Sequence, residues 1–169
     1  IQSALSYGKS LNGYFDVPGT DDPTDGDNIQ VYRLSDFNSD RTFTVLPSNS
    51  SIPHYSIAVA DDQELLLEAA EGGKTANGNV VVKEIDNSPG QNFYFKHMGS
   101  GRYKIYTQNG KVIALKNKKD DNKSNVLTCD DADGEWMEWY LIDAETNKPV
   151  IPPGLKGGFP DSKDIVIQN

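Results

Sequence analysis

The feature that most constrains the fold of this chain is the threefold repetition of one strand pattern. In each copy, a short apolar strand leads through a turn rich in Asn, Asp and Gly into a second apolar strand, and a strand with a matching aromatic residue closes the unit. The closing aromatics Phe43, Phe93 and Trp139 lie 50 and 46 residues apart. Because one repeat usually cannot bury its own apolar face, we expect the three copies to share a single core.

The local pattern predicts strands almost throughout the three copies. Runs rich in Val, Ile, Tyr, Phe and Thr are separated by turn dipeptides such as Asn12-Gly13 and Asp25-Gly26, which favour hairpins. The stretch 63–71 has good helix propensity, but it occupies the place of a strand in the other copies and is predicted as a strand. The predicted strands are 2–6, 13–17, 28–34, 42–46, 55–60, 64–69, 79–85, 92–96, 103–107, 112–116, 125–129 and 138–142.

Three units of four strands narrow the choice of architecture. Propellers typically need about four or more units to close a ring. The economical closed solution is a six-stranded barrel capped by three hairpins, the β-trefoil, and closure removes the sheet edges that invite aggregation. We therefore predict an all-β fold with one domain over 1–143, in repeats of about 1–50, 51–99 and 100–143. The Pro- and Gly-rich C-terminal tail, 144–169, is predicted to be irregular and to wrap the barrel or link to a further partner.

Composition limits the partners of the chain. It has 169 residues, a net charge of -9 and a pI of about 4.6. Nucleic-acid binding depends on basic surface, so no nucleic-acid partner is expected, and anionic membranes are disfavoured for the same reason. No apolar run is long enough to span a bilayer, and we expect no membrane insertion. The single cysteine, Cys129, excludes an intrachain disulfide and leaves both secretion and a cytoplasmic location open.

The first copy carries the most distinctive motif of the chain. Residues 14–18 read Tyr-Phe-Asp-Val-Pro, and residues 25–32 read Asp-Gly-Asp-Asn-Ile-Gln-Val-Tyr. This stretch resembles the ricin-B-type β-trefoil lectin repeat, which has a Leu-Asp-Val strand, an Asn/Asp-Gly turn, a Val-Gln-Leu-Trp strand and a closing Gln-x-Trp. The resemblance covers roughly 1–143 in all three copies. The closing aromatic is retained in each copy, whereas the Gln of the closing motif is retained only as Gln91.

The resemblance implies a sugar pocket in the first copy. Each pocket of the family uses an Asp of the first strand, an aromatic at the end of the Val-Gln-Leu-Trp strand, and an Asn or Asp just before the closing motif. These positions fall on Asp16, Tyr32 and Asp40, with Gln30 and Asn38 nearby. A carboxylate accepts hydrogen bonds from sugar hydroxyls, an amide both donates and accepts, and an aromatic face covers the C–H surface of the sugar. The resemblance implies a galactose-type sugar.

The other two copies lack this set. The same positions carry Glu68, Lys83 and Gly90 in the second copy, so the stacking ring is absent. In the third copy they carry Ala114 and Cys129, so both the carboxylate and the ring are absent, and Glu135 or Trp136 stands near the last position. Binding is therefore predicted mainly in the first copy.

Other motifs predict structure rather than chemistry. The acidic runs 21–28 and 130–135 are similar to calcium loops but lack the carboxylate that closes such a loop, so acidic turns are predicted. Cys129 lies in a strand and is predicted to be structural. His54 and His97 are predicted to be surface or turn residues, since their spacing fits neither zinc nor a catalytic triad. We expect no cofactor, no metal and no enzymatic activity.

The predicted function is carbohydrate binding, with glycans or glycoproteins as partners. One shallow pocket binds a monosaccharide weakly, so a homodimer or a multivalent surface would be needed for useful avidity. Two alternatives stay open. One is a β-trefoil protease inhibitor acting through the loops 18–27, 47–53 or 117–125, and the other is a protein-interaction domain whose sugar sites have decayed.

Overall fold

A computed structural model of the chain describes residues 1–4, 11–15, 23–33, 42–48, 54–146 and 148–152, with only the main chain described at 11–15 and 32–33. The described residues form twelve β-strands, so all twelve predicted strands are confirmed, with ends that move by at most a few residues. The strands are β1 (Gln2–Ser3), β2 (Leu11–Phe15), β3 (Ile29–Arg33), β4 (Phe43–Pro47), β5 (Tyr55–Val59), β6 (Leu65–Ala69), β7 (Val80–Glu84), β8 (Phe93–Gly99), β9 (Arg102–Thr107), β10 (Val112–Leu115), β11 (Ser124–Cys129) and β12 (Trp139–Tyr140).

Short 3-10 helices occupy matching places in the second and third repeats. The stretch 63–71 forms β6, as predicted, and its end continues into a single 3-10 turn at Ala70–Gly73. The third repeat has the matching turn at Lys116–Lys118 after β10. A second pair of turns, Pro89–Gln91 and Glu135–Met137, directly precedes the closing strands β8 and β12. The repetition visible in the sequence therefore extends to the irregular connections.

Six strands form the barrel. β1 pairs with β12, β12 with β9, β9 with β8, β8 with β5, and β5 with β4, all antiparallel. The first strand of each repeat also pairs with the hairpin that follows it, through β1–β2, β5–β6 and β9–β10. Each repeat thus contributes two strands to the barrel and one hairpin to its end.

The three hairpins, β2–β3, β6–β7 and β10–β11, form a cap by bonding to each other in a cycle. The amide of Gly26 donates to the carbonyl of Val82, the amide of Asn77 donates to that of Thr128, and the amide of Lys123 donates to that of Val31. The N···O distances are 2.8, 2.6 and 2.8 Å. All three donors have positive φ, at 92, 65 and 68°. Each hairpin therefore supports the next at an equivalent point, as a threefold arrangement requires.

Asparagine side chains lie where the three hairpins meet. Asn28, Asn79 and Asn125 each come directly before the first apolar residue of the second hairpin strand, and Asn79 links the other two. Its Nδ2 donates to Asn28 Oδ1, and its Oδ1 accepts from Asn125 Nδ2, both at 2.8 Å. An amide suits this place because it both donates and accepts. The cap is thus joined by side chains as well as by main-chain hydrogen bonds.

The core fills the barrel and the underside of the cap. The closing aromatics Phe93 and Trp139 are buried, and the indole of Trp139 donates to the Ile113 carbonyl at 3.0 Å. Phe43, the matching aromatic of the first repeat, is only partly buried and packs against the same cluster. The aromatic positions of the closing motif are therefore core positions.

Part of the C-terminal tail packs against the end of the barrel. The amide of Val150 donates to the Leu141 carbonyl, the amide of Asp143 donates to that of Lys148, and Pro152 is buried. The stretch 148–152 therefore contacts the trefoil segment, in line with the predicted wrapping, and residues 153–169 lie outside the described part. No helix among the described residues is long and apolar enough to cross a membrane.

Candidate functional site

The strand registers show which residues are equivalent in the three hairpins. Ile29 pairs with Phe15, Val80 with Ala69, and Val126 with Leu115, so these pairs open the second strand of each hairpin. One residue further on, the equivalent positions hold Gln30 in the first repeat, Val81 in the second and Leu127 in the third. Their cross-strand partners are Tyr14, Glu68 and Ala114.

The predicted sugar-site residues fall partly within the described structure. Gln30 is fully described, and the main chain of Tyr32 lies in β3 opposite Asn12. Asp16, Asn38 and Asp40 lie outside the described residues, so the pocket itself stays a prediction. The register also shows that the main-chain position matching Glu68 is Tyr14, two residues before Asp16. The reason is that the connection from Phe15 to its partner Ile29 holds 13 residues, 16–28, whereas that from Ala69 to Val80 holds 10, 70–79, which changes the alignment of the copies.

Gln30 is a buried polar residue of the first hairpin. It is only 5% exposed, and its Nε2 is buried without a hydrogen-bond partner among the described residues. A buried donor without a partner costs about 1–3 kcal/mol, so such groups are rare unless they have a role. The other two repeats avoid this cost with Val81 and Leu127. The first repeat therefore keeps a buried amide donor without a described partner, two residues before Tyr32, which the resemblance assigns to sugar binding.

The second repeat satisfies its polar groups internally. Ser88 Oγ donates to Glu68 Oε2 at 3.0 Å, and Lys83 Nζ lies 3.3 Å from Asp25 Oδ2. A Cβ added to Gly90 would lie 2.5 Å from the Ala69 carbonyl oxygen, so the main chain here closes directly onto β6. The residues that stand at the sugar-pocket positions of this repeat are therefore already bonded to, or packed against, other residues of the protein.

The matching positions of the third repeat are apolar. Ala114 is completely buried, and Cys129 Sγ lies 3.4 Å from Met137 Sδ. Burial, together with nearby Asp130 and Asp131, raises the pKa of the Cys129 thiol to about 11. Because the thiolate is the reactive form, the raised pKa favours the predicted structural role over a catalytic thiol.

A groove of about 540 Å³ lies beside these residues, between the second and third repeats. Trp136 forms its apolar wall and is half-buried. We call this feature the Trp136 groove. Its polar lining consists of Asn77, Asn79, Asn117, Asn125, Lys116 and Lys118. The residues that line the groove come from separate parts of the chain. The strand pattern therefore did not predict the groove, although it placed Trp136 near the closing motif.

Ion pairs hold the loop that carries Trp136. Lys104, which is buried, places its Nζ 2.6 Å from both Asp131 Oδ1 and the Ala132 carbonyl oxygen, and the Tyr106 hydroxyl donates to Asp131 Oδ2 at 2.7 Å. The hydrogen bonds from Lys104 and Tyr106 lower the pKa of Asp131. Arg102 Nη1 lies 3.1 Å from Glu135 Oε1. These contacts fix both ends of the loop and thereby orient the indole.

Of the two acidic runs that are similar to calcium loops, the described part of 21–28 contains a turn at residues 25–26. Asp27 Oδ2 accepts from the amide of Thr24 at 2.6 Å, and Asp25 Oδ1 accepts from the amide of Glu84 at 3.1 Å. The hydrogen bond from Glu84 and the pairing with Lys83 lower the pKa of Asp25. Within the described residues, no group of His, Cys, Asp and Glu could hold a metal ion.

His97, predicted to be a surface or turn residue, lies in the strand β8 rather than in a turn, is partly exposed, and has its ring 5.3 Å from that of Tyr103. Burial lowers the pKa of His97. The sequence did not show this because the strand continues beyond the predicted end at residue 96.

Comparison with solved structures decides the fold. The chain superposes on ThreeFoil, a designed protein with threefold symmetry, with a TM-score of 0.71 and 19% identity, over 84% of this chain and 95% of that one. The chain is a β-trefoil. This trefoil also matches a Polyporus squamosus lectin bound to Neu5Acα2-6Galβ1-4GlcNAc, with a TM-score of 0.65 and 11% identity over 82% of this chain. It spans only 45% of that lectin chain.

A third solved structure is the C-terminal half of an earthworm R-type lectin in complex with GalNAc. The trefoil matches it with a TM-score of 0.56 and 13% identity, over 82% of this chain and 92% of that one. No protein-family model matches the sequence, and no curated protein sequence is significantly similar to it. At these identities the comparisons show the fold, and the predicted β-trefoil is confirmed.

Proposed function

We propose that this β-trefoil is a carbohydrate-binding lectin for galactose-type glycans, acting mainly through a first-repeat pocket formed by Asp16, Gln30, Tyr32, Asn38 and Asp40. The observation that carries the proposal is the buried amide of Gln30. Its Nε2 has no partner among the described residues, whereas the equivalent positions of the other repeats hold Val81 and Leu127. A sugar hydroxyl supplies the acceptor that this donor lacks.

The fold and the chemistry of the neighbours support the same function. Two of the matching trefoils are lectins whose solved ligands contain galactose or N-acetylgalactosamine. In the second repeat, Glu68 and Lys83 stand at the equivalent positions and are paired with Ser88 and Asp25. In the third repeat, these positions hold Ala114 and Cys129, so one pocket is proposed. The function is binding rather than catalysis. Because one shallow pocket gives weak affinity, presentation as a dimer or on a multivalent surface is part of the proposal.

A glycan array with matched variants tests the proposal. The array compares the wild type with Asp16→Ala, in the first-repeat pocket, and with Glu68→Ala, in the second repeat. We expect binding to galactose-terminated glycans that Asp16→Ala abolishes and Glu68→Ala preserves. The thermal midpoint of Asp16→Ala should stay within about a few degrees of the wild type, because a carboxylate that serves binding rather than folding contributes little to stability.

Three other outcomes overturn the proposal. Binding that survives Asp16→Ala moves the site elsewhere. A large fall in the thermal midpoint of Asp16→Ala shows that this carboxylate is structural. Failure of the wild type to bind any glycan favours one of the remaining alternatives, a protease inhibitor or an interaction domain, and inhibition assays against a panel of serine and cysteine proteases then separate those two.

A further inference from the structure

The barrel has one seam at which two neighbouring strands do not pair. In the second and third repeats, the first and last barrel strands pair through Tyr55 with Phe93 and through Tyr103 with Trp139. In the first repeat, no pairing joins β1 to β4 among the described residues, and β4 pairs only with β5. A cavity of about 290 Å³ lies at this seam, and we call it the β1–β4 slot. The residues that line the slot include Ile1, Val45, Leu141, Ile142, Ile151 and Pro152.

The β4 rim of the slot includes the main-chain groups of Val45, which no described strand bonds. The amide of Ala60 donates to the Thr42 carbonyl, and the amide of Ser48 donates to that of His54. Because hydrogen-bonded pairs alternate along an antiparallel ladder, the even-numbered residues of β4 are the ones that bond to β5. The amide and carbonyl of Val45 therefore point away from β5 and towards the slot.

The opposite rim is formed by the chain that continues β12. The amide of Ala4 donates to the Glu138 carbonyl, so the even-numbered residues of this stretch face β1. Leu141 and Asp143 face the other way, where they bond to the tail. The amide and carbonyl of Ile142 consequently point towards the slot, and neither has a hydrogen bond within the described part of the chain. A strand placed between the two rims would bond to both and would remove two open edges.

The tail of the chain leads into the slot. Ile151 and Pro152 line it, and Ile151 is one of three large apolar side chains that are exposed in the described structure. The next twelve residues, 153–164, include five Gly or Pro residues, and residues 165–167 then read Ile-Val-Ile. This is the one run of three β-branched residues outside the described part of the chain, and β-branched residues favour strands. A linker of twelve residues spans up to about 40 Å, which is enough to turn back to the slot.

We propose that residues 165–167 of the same chain insert into the β1–β4 slot as a strand that is antiparallel to β4 and closes the barrel. The hydrophobic pattern sets the register, because Ile165 and Ile167 then face the core and Val166 faces solvent. A shift by one residue would turn Asp164 towards the core, where an unpaired carboxylate is costly. The slot shares no residue with the proposed first-repeat pocket, so this inference goes beyond the proposed function and does not depend on it.

Amide hydrogen exchange of the full chain tests the insertion. We expect the amides of Val45 and Ile142 to exchange slowly, because each donates to the inserted strand. Ile167→Asp should speed their exchange by about tenfold or more, since the core side of the strand does not accept a carboxylate. Val166→Asp is the matched control, because it adds the same charge on the solvent side and should change little. The amide of Tyr106, which bonds to β8, should stay slow in both variants and so report that the barrel remains folded.

A spin label locates the segment without relying on a destabilising variant. The single cysteine is replaced by Cys129→Ser, and a nitroxide is attached at Gln168→Cys, on the solvent side of the proposed strand. We expect the label to broaden the amide signals of Val45 and Ile142 and to spare that of Asn77 at the cap. In a mixture of unlabelled chains that carry the nitroxide and 15N-labelled chains that do not, the broadening should be absent, because the segment inserts within its own chain.

Three results overturn the proposal. Fast exchange of the Val45 and Ile142 amides in the wild type shows that no strand occupies the slot. Equal effects of Ile167→Asp and Val166→Asp, or no effect of either, assign the slot to another segment. Broadening that persists in the mixed sample shows that a second copy of the chain supplies the strand.

Discussion

At the position where the first repeat carries Gln30, the second repeat carries Val81, and the two hairpins treat their polar groups in opposite ways. Around Val81, Glu68 accepts from Ser88 and Gly90 closes onto the strand. In the first hairpin, a buried amide donor is left without a described partner. The same backbone unit therefore supports two arrangements, one whose polar groups are paired within the protein and one with a buried donor that, in the proposed function, bonds a sugar. Under that proposal, a repeat loses its site by satisfying its own polar groups as well as by losing residues.

The largest effect is expected at the closing aromatics, where the repeats differ in burial. Phe93 of the second repeat is fully buried, whereas Phe43 of the first is only partly buried. Phe93→Ala should therefore lower the free energy of unfolding by about 3–5 kcal/mol, and Phe43→Ala by less. Urea unfolding of both variants measures the difference. Equal losses would contradict a first repeat that packs less completely than the second.

A smaller effect tests whether the second repeat is closed. Gly90→Ala places a methyl group 2.5 Å from the Ala69 carbonyl oxygen and 2.9 Å from Glu68 Cγ, so the strand must shift. Overpacking of this kind costs about 1–3 kcal/mol. Ser88→Ala is the matched control, since it removes only the hydrogen bond to Glu68 and should cost about 1 kcal/mol. If thermal unfolding shows that Gly90→Ala is neutral, the second-repeat position has room for a ligand after all.

The asparagine cluster, Asn28, Asn79 and Asn125, tests how strongly the three hairpins stabilise one another where they meet. Asn79 makes one hydrogen bond with Asn28 and one with Asn125, so Asn79→Ala leaves two amide groups without this partner. We expect a loss of about 1–3 kcal/mol. Asn92→Ala, which removes an exposed bond to Gln108, should cost less and serves as the control. Similar urea midpoints for the two variants would show that the cluster does not join the hairpins energetically.

The smallest effect on stability, paired with a large effect on binding, is expected at Gln30. Gln30→Val places the valine of the second repeat, Val81, at the equivalent position of the first. It removes a buried donor that has no described partner, so the free energy of unfolding should be unchanged or higher by about 1 kcal/mol. Glycan binding should be lost. The reverse change, Val81→Gln, should create no binding, because the second-repeat groups are already occupied. A marked loss of stability in Gln30→Val would mean that the amide has a structural partner.

The strand order, the three hairpins and the core aromatics follow from local pattern and repetition, which is why all twelve strands could be predicted. The register of the first hairpin could not, because the connection from β2 to β3 is three residues longer than that from β6 to β7, which moves Tyr14 to the place expected for Asp16. Burial of His97 depends on where a strand ends. The Trp136 groove depends on residues brought together only by the cap. Each difference arises from tertiary packing, which single-sequence patterns do not encode.

The most direct test of the central claim is a lactose titration of the 15N-labelled protein, followed by the amide signals of the three equivalent hairpin strands. The account predicts saturable shifts in β3, around Gln30 and Tyr32, and none in β7 or β11. Shifts of similar size in β7, around Val81, or the absence of shifts in β3 at saturating lactose, would contradict the claim that the first repeat alone leaves its polar groups for a sugar.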